Sequence, residues 1–247
     1  MEKILPLERL IEIDNYISNG VDAVMMGTYF GAKAQASVFE IEEIIETHEK
    51  IAVFALYNRD FKTSEHQQLA HEIKHLFEAG LDHFIFTDLD VLSFVEDLDL
   101  DLKVIYNFEN QKVTQEMLDA LLDHKIEEVW FASPRHLEGE INHIKKGMHF
   151  FGNRFKNTHT KEKDAPFYLS DPHGTHEYSD KIISHIKEYD KMKSKGITRL
   201  IFETFSSNVD DVLFVVRSLE YIEDFDEFET IVKTVVEKEM TDGEDNE

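Results

Sequence analysis

Gly20-Val21-Asp22-Ala23-Val24-Met25-Met26-Gly27 is the stretch on which the fold turns: a helix end, a glycine, then a short apolar strand. The same order returns from Phe77 through Gly80 to Asp88, and from Lys193 through Gly196 to Glu203. A fourth copy, Asp123 to Ala132, carries Lys125 in the glycine's place. Glycine there suits a left-handed helix cap that leads straight into a strand. The nearly unbroken apolar runs Ile51 to Tyr57 and Phe84 to Phe86 suit parallel strands covered on both faces.

Working outward, the segments between these strands carry helical spacing. Leu7 to Asn19, Phe39 to His48 (with Ser37 as cap), Ser64 to Ala79, Thr114 to Leu122 and Tyr178 to Lys195 are predicted helices. Strands are predicted at Asp22–Met26, Ala52–Tyr57, His83–Thr87, Lys103–Tyr106, Glu128–Ala132, Met148–Phe151 and Arg199–Glu203. Alternation of this kind means βα units and a parallel sheet. The repeat count favours an α/β fold of the TIM-like (β/α) barrel type, closed or slightly incomplete, over an open doubly wound sheet, for which no glycine-rich phosphate loop is present. The barrel domain is expected over 1–222, with an inserted polar loop at 152–175. Phe228, Ile231, Val232, Val235 and Val236 keep a stripe within acidic sequence, predicting a C-terminal helix over 223–240 packed on the barrel. The stretch 241–247 reads as a disordered acidic tail.

The charge balance narrows the functions. The 247 residues hold 26 basic and 51 acidic side chains, a formal charge of −25, so nucleic acid is repelled unless a basic partner offsets it. Cysteine is absent, which excludes thiolate metal sites, cysteine-ligated iron–sulfur clusters and a cysteine nucleophile from these residues. The longest apolar run is far short of the roughly 20 residues of a membrane helix, and the first residues fit no secretory segment, so a soluble cytoplasmic protein without membrane contact is expected.

Gly20 to Gly27, followed by Phe30-Gly31-Ala32-Lys33-Ala34 and Phe39, resembles the "GADAVYxG…FxxRxxAxNF" opening of peptidase family U32, the collagenase-like proteases. Ala55-Leu56-Tyr57-Asn58 resembles that family's "vyvxxN" strand, Gly80 to Asp88 its "GvDaiivxD", and Ala132 to Leu137 its "LARELSL". His173-Gly174-Thr175-His176 with Ser179-Asp180 is similar to "hGTyxxxSkDL", and Gly196 to Glu203 to "GvdSlKIEGR". In order, the matches run from residue 3 to about 216. The resemblance implies a branch of paired bacterial proteins linked to prephenate-dependent 5-hydroxylation of the tRNA wobble uridine. Catalytic branches of the family bind an iron–sulfur cluster through four cysteines; here Met148 to Phe155 has none. Where the family has Lys-Ile-Glu-Gly-Arg, this chain has Ile201-Phe202-Glu203-Thr204-Phe205, and Tyr106-Asn107-Phe108-Glu109 replaces a Ser-Thr-Gln motif. Those losses point away from independent catalysis. The resemblance therefore implies an accessory subunit without cofactor, partnered by a cysteine-containing U32 paralogue and reaching tRNA only through that complex. A stand-alone barrel hydrolase and an acidic protein-interaction module are the other two readings.

In a barrel, residues at the C-terminal strand ends face the functional rim. These are Gly27 to Tyr29, Asn58, Asp88, Asn107, Arg135 and Glu203, with Lys33 on the first rim loop, and the lysine, arginine, amides and carboxylates suit a small carboxylate or sugar-like ligand. Asn58 and Asp88 serve equally well as caps of the following helices. No catalytic residue is assigned. His173 with His176, and His66, His71 and His75, have spacings that occur by chance among 13 histidines, and no metal site is assigned to them. There is no Gly-x-Ser-x-Gly elbow. The basic residues Arg154, Lys156, His159 and Lys161 are the candidate phosphate contact, with a solvated loop as the alternative. The loop Gly152 to Thr175 is the expected partner contact.

Overall fold

The computed structural model describes residues 1–109, 113–132, 144–153, 167–178, 181–205, 207–236 and 240–242. Its strands are β1 (Glu2–Pro6), β2 (Ala23–Gly27), β3 (Ala52–Tyr57), β4 (His83–Phe86), β5 (Lys103–Asn107), β6 (Glu128–Phe131), β7 (Lys145–Gly152), β8 (Phe167–Asp171), β9 (Gly174–Tyr178), β10 (Ile182–Ser184), β11 (Ile197–Phe202) and β12 (Met240–Asp242). The helices are α1 (Ile13–Ser18), α2 (Ile41–His48), α3 (His66–Glu78), α4 (Leu92–Glu96), α5 (Gln115–Leu122), α6 (Tyr189–Ser194), α7 (Val209–Ser218) and α8 (Phe225–Val235).

Strands β1 to β7 pair parallel in sequence order, and β11 pairs parallel with both β7 and β1, closing an eight-stranded barrel. Registers such as Met25↔Phe54 and Leu56↔Ile85 carry the pairing round the ring. Side chains alternate across each strand. Phe54 and Leu56 join Ile4, Ala23, Met25, Ile85, Ile105, Trp130 and Ile201 inside the barrel. Val53, Ala55 and Tyr57 face the helices in a second, larger core. Both faces of β3 are therefore apolar, which is why its sequence runs unbroken. Gly20, Gly80 and Gly196 take positive φ values of 79°, 101° and 77°, as the repeated cap requires.

The N-terminal end of the barrel is plugged by charge. Arg199 donates to Glu2 Oε2 at 2.6 Å, to Glu128, and to His83 Nε2 at 3.3 Å, with its guanidinium 4.8 Å from the Phe54 ring centroid. Glu128 also accepts from Trp130 Nε1 at 2.7 Å. Burial raises the Glu128 carboxyl above its ordinary range, with Arg199 and Trp130 acting in the opposite direction.

Several elements differ from the sequence expectation, each for a packing reason. The barrel's eighth strand is β1, from Glu2–Pro6, a run too short for pattern reading; it is fixed by partners on both sides, Ile4↔Ala23 and Ile4↔Ile201. The helix expected over Leu7–Asn19 is a 3-10 turn followed by the short α1. The helix expected from Tyr178 is confined to α6; Ile182 and Ile183 instead form β10, antiparallel to the end of β7, as their β-branching favours. Part of the expected loop at 152–175 is strand: β8 and β9 form an antiparallel hairpin, and 154–166 lie outside the described residues. Within the predicted tail, 241–242 belong to β12, which pairs with β10, and 243–247 lie outside the described residues. Glu40, not Ser37, precedes α2, with its N–H donating to Glu43 at 3.0 Å. No described helix is long and apolar enough to cross a membrane.

Candidate functional site at the barrel mouth

At the C-terminal end of the strands, polar side chains from four barrel strands and the hairpin meet. Asn58, just past β3, is fully buried; its Oδ1 accepts from the Lys33 N–H at 2.8 Å and its Nδ2 donates to Glu109 Oε1 at 3.3 Å. Asn58 thereby fixes the rim loop that bears Lys33. Asn107, the last residue of β5, accepts the Glu109 N–H on Oδ1 at 3.1 Å. That contact fixes which end of the Asn107 amide is oxygen. His149 Nε2, 3.1 Å from the same oxygen, must then be the nitrogen that bears hydrogen. His149 Nδ1 lies 3.3 Å from Glu203 Oε1. From the hairpin, His176 Nε2 approaches Glu109 Oε2 at 3.8 Å.

The electrostatics centre on Glu109. Burial pushes its carboxyl up to about 7, against the opposing pull of Lys33 and the Asn58 hydrogen bond. Burial, then the Lys33 charge, push His176 down to about 4. Near neutral pH the site therefore holds a carboxyl poised to exchange a proton and a neutral imidazole, beside the Lys33 ammonium.

The hairpin covers this cluster and is latched to the Lys33 loop. The Asp171 carboxylate accepts from the N–H groups of Ala34 (2.5 Å), His173 (2.7 Å) and Gly174 (3.1 Å). Burial alone would raise Asp171, but these three donors hold it below its ordinary value. Tyr178 donates its hydroxyl to the Ala34 carbonyl at 3.3 Å. Ala34 is thus gripped at both backbone groups in a left-handed conformation, φ 49°, unfavourable by about 1–2 kcal/mol for a residue with a Cβ. A Cβ on Gly174 would come within 2.8 Å of the Lys33 stem, so glycine there lets the lysine cross the hairpin. Beneath it, a cavity lined by Gly27, Leu56, Tyr178, Glu203 and Thr204 has about 20 Å³, the room of a single water.

Of the residues read from the sequence, Lys33, Asn58, Asn107 and Glu203 come together here. Asp88 does not: its carboxylate accepts from Phe61 and Asp90 N–H groups at 3.2 and 2.9 Å, a turn-capping role. Arg135, and the basic residues Arg154, Lys156, His159 and Lys161, lie outside the described residues. His173 and His176 serve separate partners, Tyr29 O at 3.0 Å and Glu109, and no group of three metal-ligating side chains forms among the described residues. Glu109 and His149 were missed by the sequence reading, and His176 was weighed only with His173 as a metal pair. Glu109 sits two residues past a strand end, His149 inside β7, and His176 on β9, which the sequence pattern did not show as a strand.

A closed (β/α)₈ barrel with a polar cluster at its C-terminal mouth defines the class: the chain is built as TIM-barrel proteins are. Solved structures agree. A putative dihydrodipicolinate synthetase from Pseudomonas aeruginosa superposes with a TM-score of 0.58 at 6% identity, over 94% of this chain and 80% of that one. A putative copper homeostasis protein CutC from Streptococcus agalactiae gives 0.54 at 8%, over 82% and 98%. A phosphoribosyl anthranilate isomerase from Thermus thermophilus gives 0.53 at 11%, over 94% and 100%. At these identities the likeness is one of fold. The family model for peptidase family U32 matches residues 8–153, more than half of the chain, and the chain belongs to that family. Among curated proteins there is no match.

Proposed function

We propose that this chain is a non-catalytic U32-family subunit that works with a cysteine-containing U32 paralogue in 5-hydroxylation of the tRNA wobble uridine, in the cytoplasm. The observation that carries the reading is a U32 barrel of 247 residues with no cysteine, so the thiolate-held cluster that the family resemblance ties to catalysis has no ligands here. The mouth supports it, because the cavity there, among the described residues, leaves room for about one water. The charge of −25 supports reliance on a partner for tRNA contact.

The test mixes this chain with a cysteine-containing U32 protein at micromolar concentration, follows co-elution by gel filtration, and measures tRNA binding for each alone and together. Co-elution, with tRNA shifted only by the mixture, is expected. Separate elution, or tight salt-sensitive tRNA binding by this chain alone, defeats the reading. One observation favours a stand-alone barrel enzyme: Glu109, with its carboxyl near 7 beside Lys33, has the properties of a general acid–base group. That alternative requires turnover by the isolated chain, for which gelatin and casein are the first substrates to try; neither is expected to be cleaved.

A further inference from the structure

We infer that the groove between the end of α7 and α8 is a docking site for a basic amphipathic segment of a partner protein. The groove, about 450 Å³ and open to solvent, is lined by Arg217, Ser218, Tyr221, Ile222 and Phe228. Tyr221 is 83% exposed, more so than the other exposed tyrosines, Tyr29 (64%) and Tyr168 (63%). The apolar surface does not stop at the groove. Ile231 and Val235, three and seven residues past Phe228, continue its face of α8 and are 46% and 50% exposed. The core of the molecule is complete without them, since Phe228 and Val232 already bury the inner stripe.

Charge identifies the occupant. Glu220, Glu223, Asp224, Asp226 and Glu227 place five carboxylates in the eight residues that bound the groove, with no base between Arg217 and Lys233. Among the described residues, Glu223, Asp226 and Glu227 have no cationic partner, whereas Lys3 takes Glu220 at 2.6 Å. The nearby cations Lys187 and Lys233 are drawn inward to the buried Glu229, at 3.1 and 3.2 Å, and leave the outer rim acidic. Glu227 lies one turn before Ile231, so carboxylate and apolar surface adjoin. One cation, Arg217, lines the trough at the α7 end, with its guanidinium 5.5 Å from the Phe214 ring centroid and one N–H directed to Asn19 Oδ1. An acidic rim along the α8 side of a largely apolar trough with an exposed tyrosine fits a helix whose one face is apolar and whose flanks carry Lys or Arg. The hairpin β8–β9, which overlaps the segment Gly152 to Thr175 expected to make the contact, is committed to the barrel mouth through Asp171 and Tyr178.

The identity of the partner rests on the proposed function; the groove's preference for a basic amphipathic segment does not, and two measurements separate them. In the first, an 18-residue Leu/Lys amphipathic peptide is titrated into the full chain at 100 mM salt. Wild type should bind it, Tyr221→Ala about tenfold more weakly, and Glu223→Lys/Glu227→Lys at least tenfold more weakly, while Tyr168→Ala on the hairpin binds as wild type. Equal binding by the groove variants overturns the inference, as does a wild-type chain that dimerises in light scattering and is made monomeric by Tyr221→Ala, because a second copy would then be the occupant. In the second, the same variants are tested against the cysteine-containing paralogue. Loss of paralogue binding in the groove variants alone supports the site, and loss in Tyr168→Ala alone overturns it. A wild type that binds the peptide but not the paralogue defeats the proposed function and leaves the docking site standing. Circular dichroism spectra matching wild type confirm that the surface variants remain folded.

Discussion

Glu109→Gln should make the protein more stable at pH 8 and change little at pH 4.5. In the fold the Glu109 carboxyl lies at about 7 instead of the ordinary 4.5, because burial opposes its charge. A carboxyl raised in the folded state binds its proton more tightly there than in the unfolded chain. The folded state is therefore unpenalised below 4.5, loses stability as pH rises from 4.5 to 7, and carries a constant deficit above 7. The gap between 4.5 and about 7, at about 1.4 kcal/mol per pH unit, comes to ~3 kcal/mol. Glutamine keeps an oxygen for the Asn58 donor at Oε1 and removes the charge. For a chain of this length each kcal/mol moves Tm by roughly 2–4 °C, so a gain of roughly 6–12 °C is expected at pH 8. Thermal or urea unfolding of both proteins at pH 4.5 and pH 8 supplies the comparison. A variant less stable than wild type at pH 8, or an equal difference at both pH values, refutes the account of Glu109 as a buried, destabilising charge.

His176 works in the opposite direction: its folded value of about 4 lies below the ordinary 6.5, so its contribution is whole above 6.5 and shrinks by ~3 kcal/mol as pH falls to 4. His176→Asn should flatten that acid limb in a pH series of urea midpoints. Arg199→Met strands the buried Glu128 carboxylate and should cost about 3–5 kcal/mol by urea unfolding, with Glu128→Gln in the same background recovering part of the loss. Asp171→Ala removes the acceptor of three backbone N–H groups and should loosen the hairpin by about 2 kcal/mol, read as faster amide exchange over 167–178 with barrel strands unchanged.

The repeat of glycine and apolar strand determined the architecture from sequence alone, because a left-handed cap and a strand buried on both faces are local demands that show in consecutive residues. Gly20, Gly80 and Gly196 meet the first demand, and Val53 to Tyr57 the second. Absence of cysteine was equally plain. The rim positions Lys33, Asn58, Asn107 and Glu203 were legible for the same reason, since the end of a parallel strand marks the functional end of a barrel. Only the tertiary structure decided the rest. Glu2–Pro6 became the eighth strand through pairing with residues nearly two hundred positions away, a contact no local pattern records. Phe167–Asp171 and Gly174–Tyr178, set in a polar stretch that reads as loop, became strands because each satisfies the other's backbone. Glu109, and His176 on that hairpin, owe their displaced protonation to burial, and burial is a property of the folded surroundings, not of the residue.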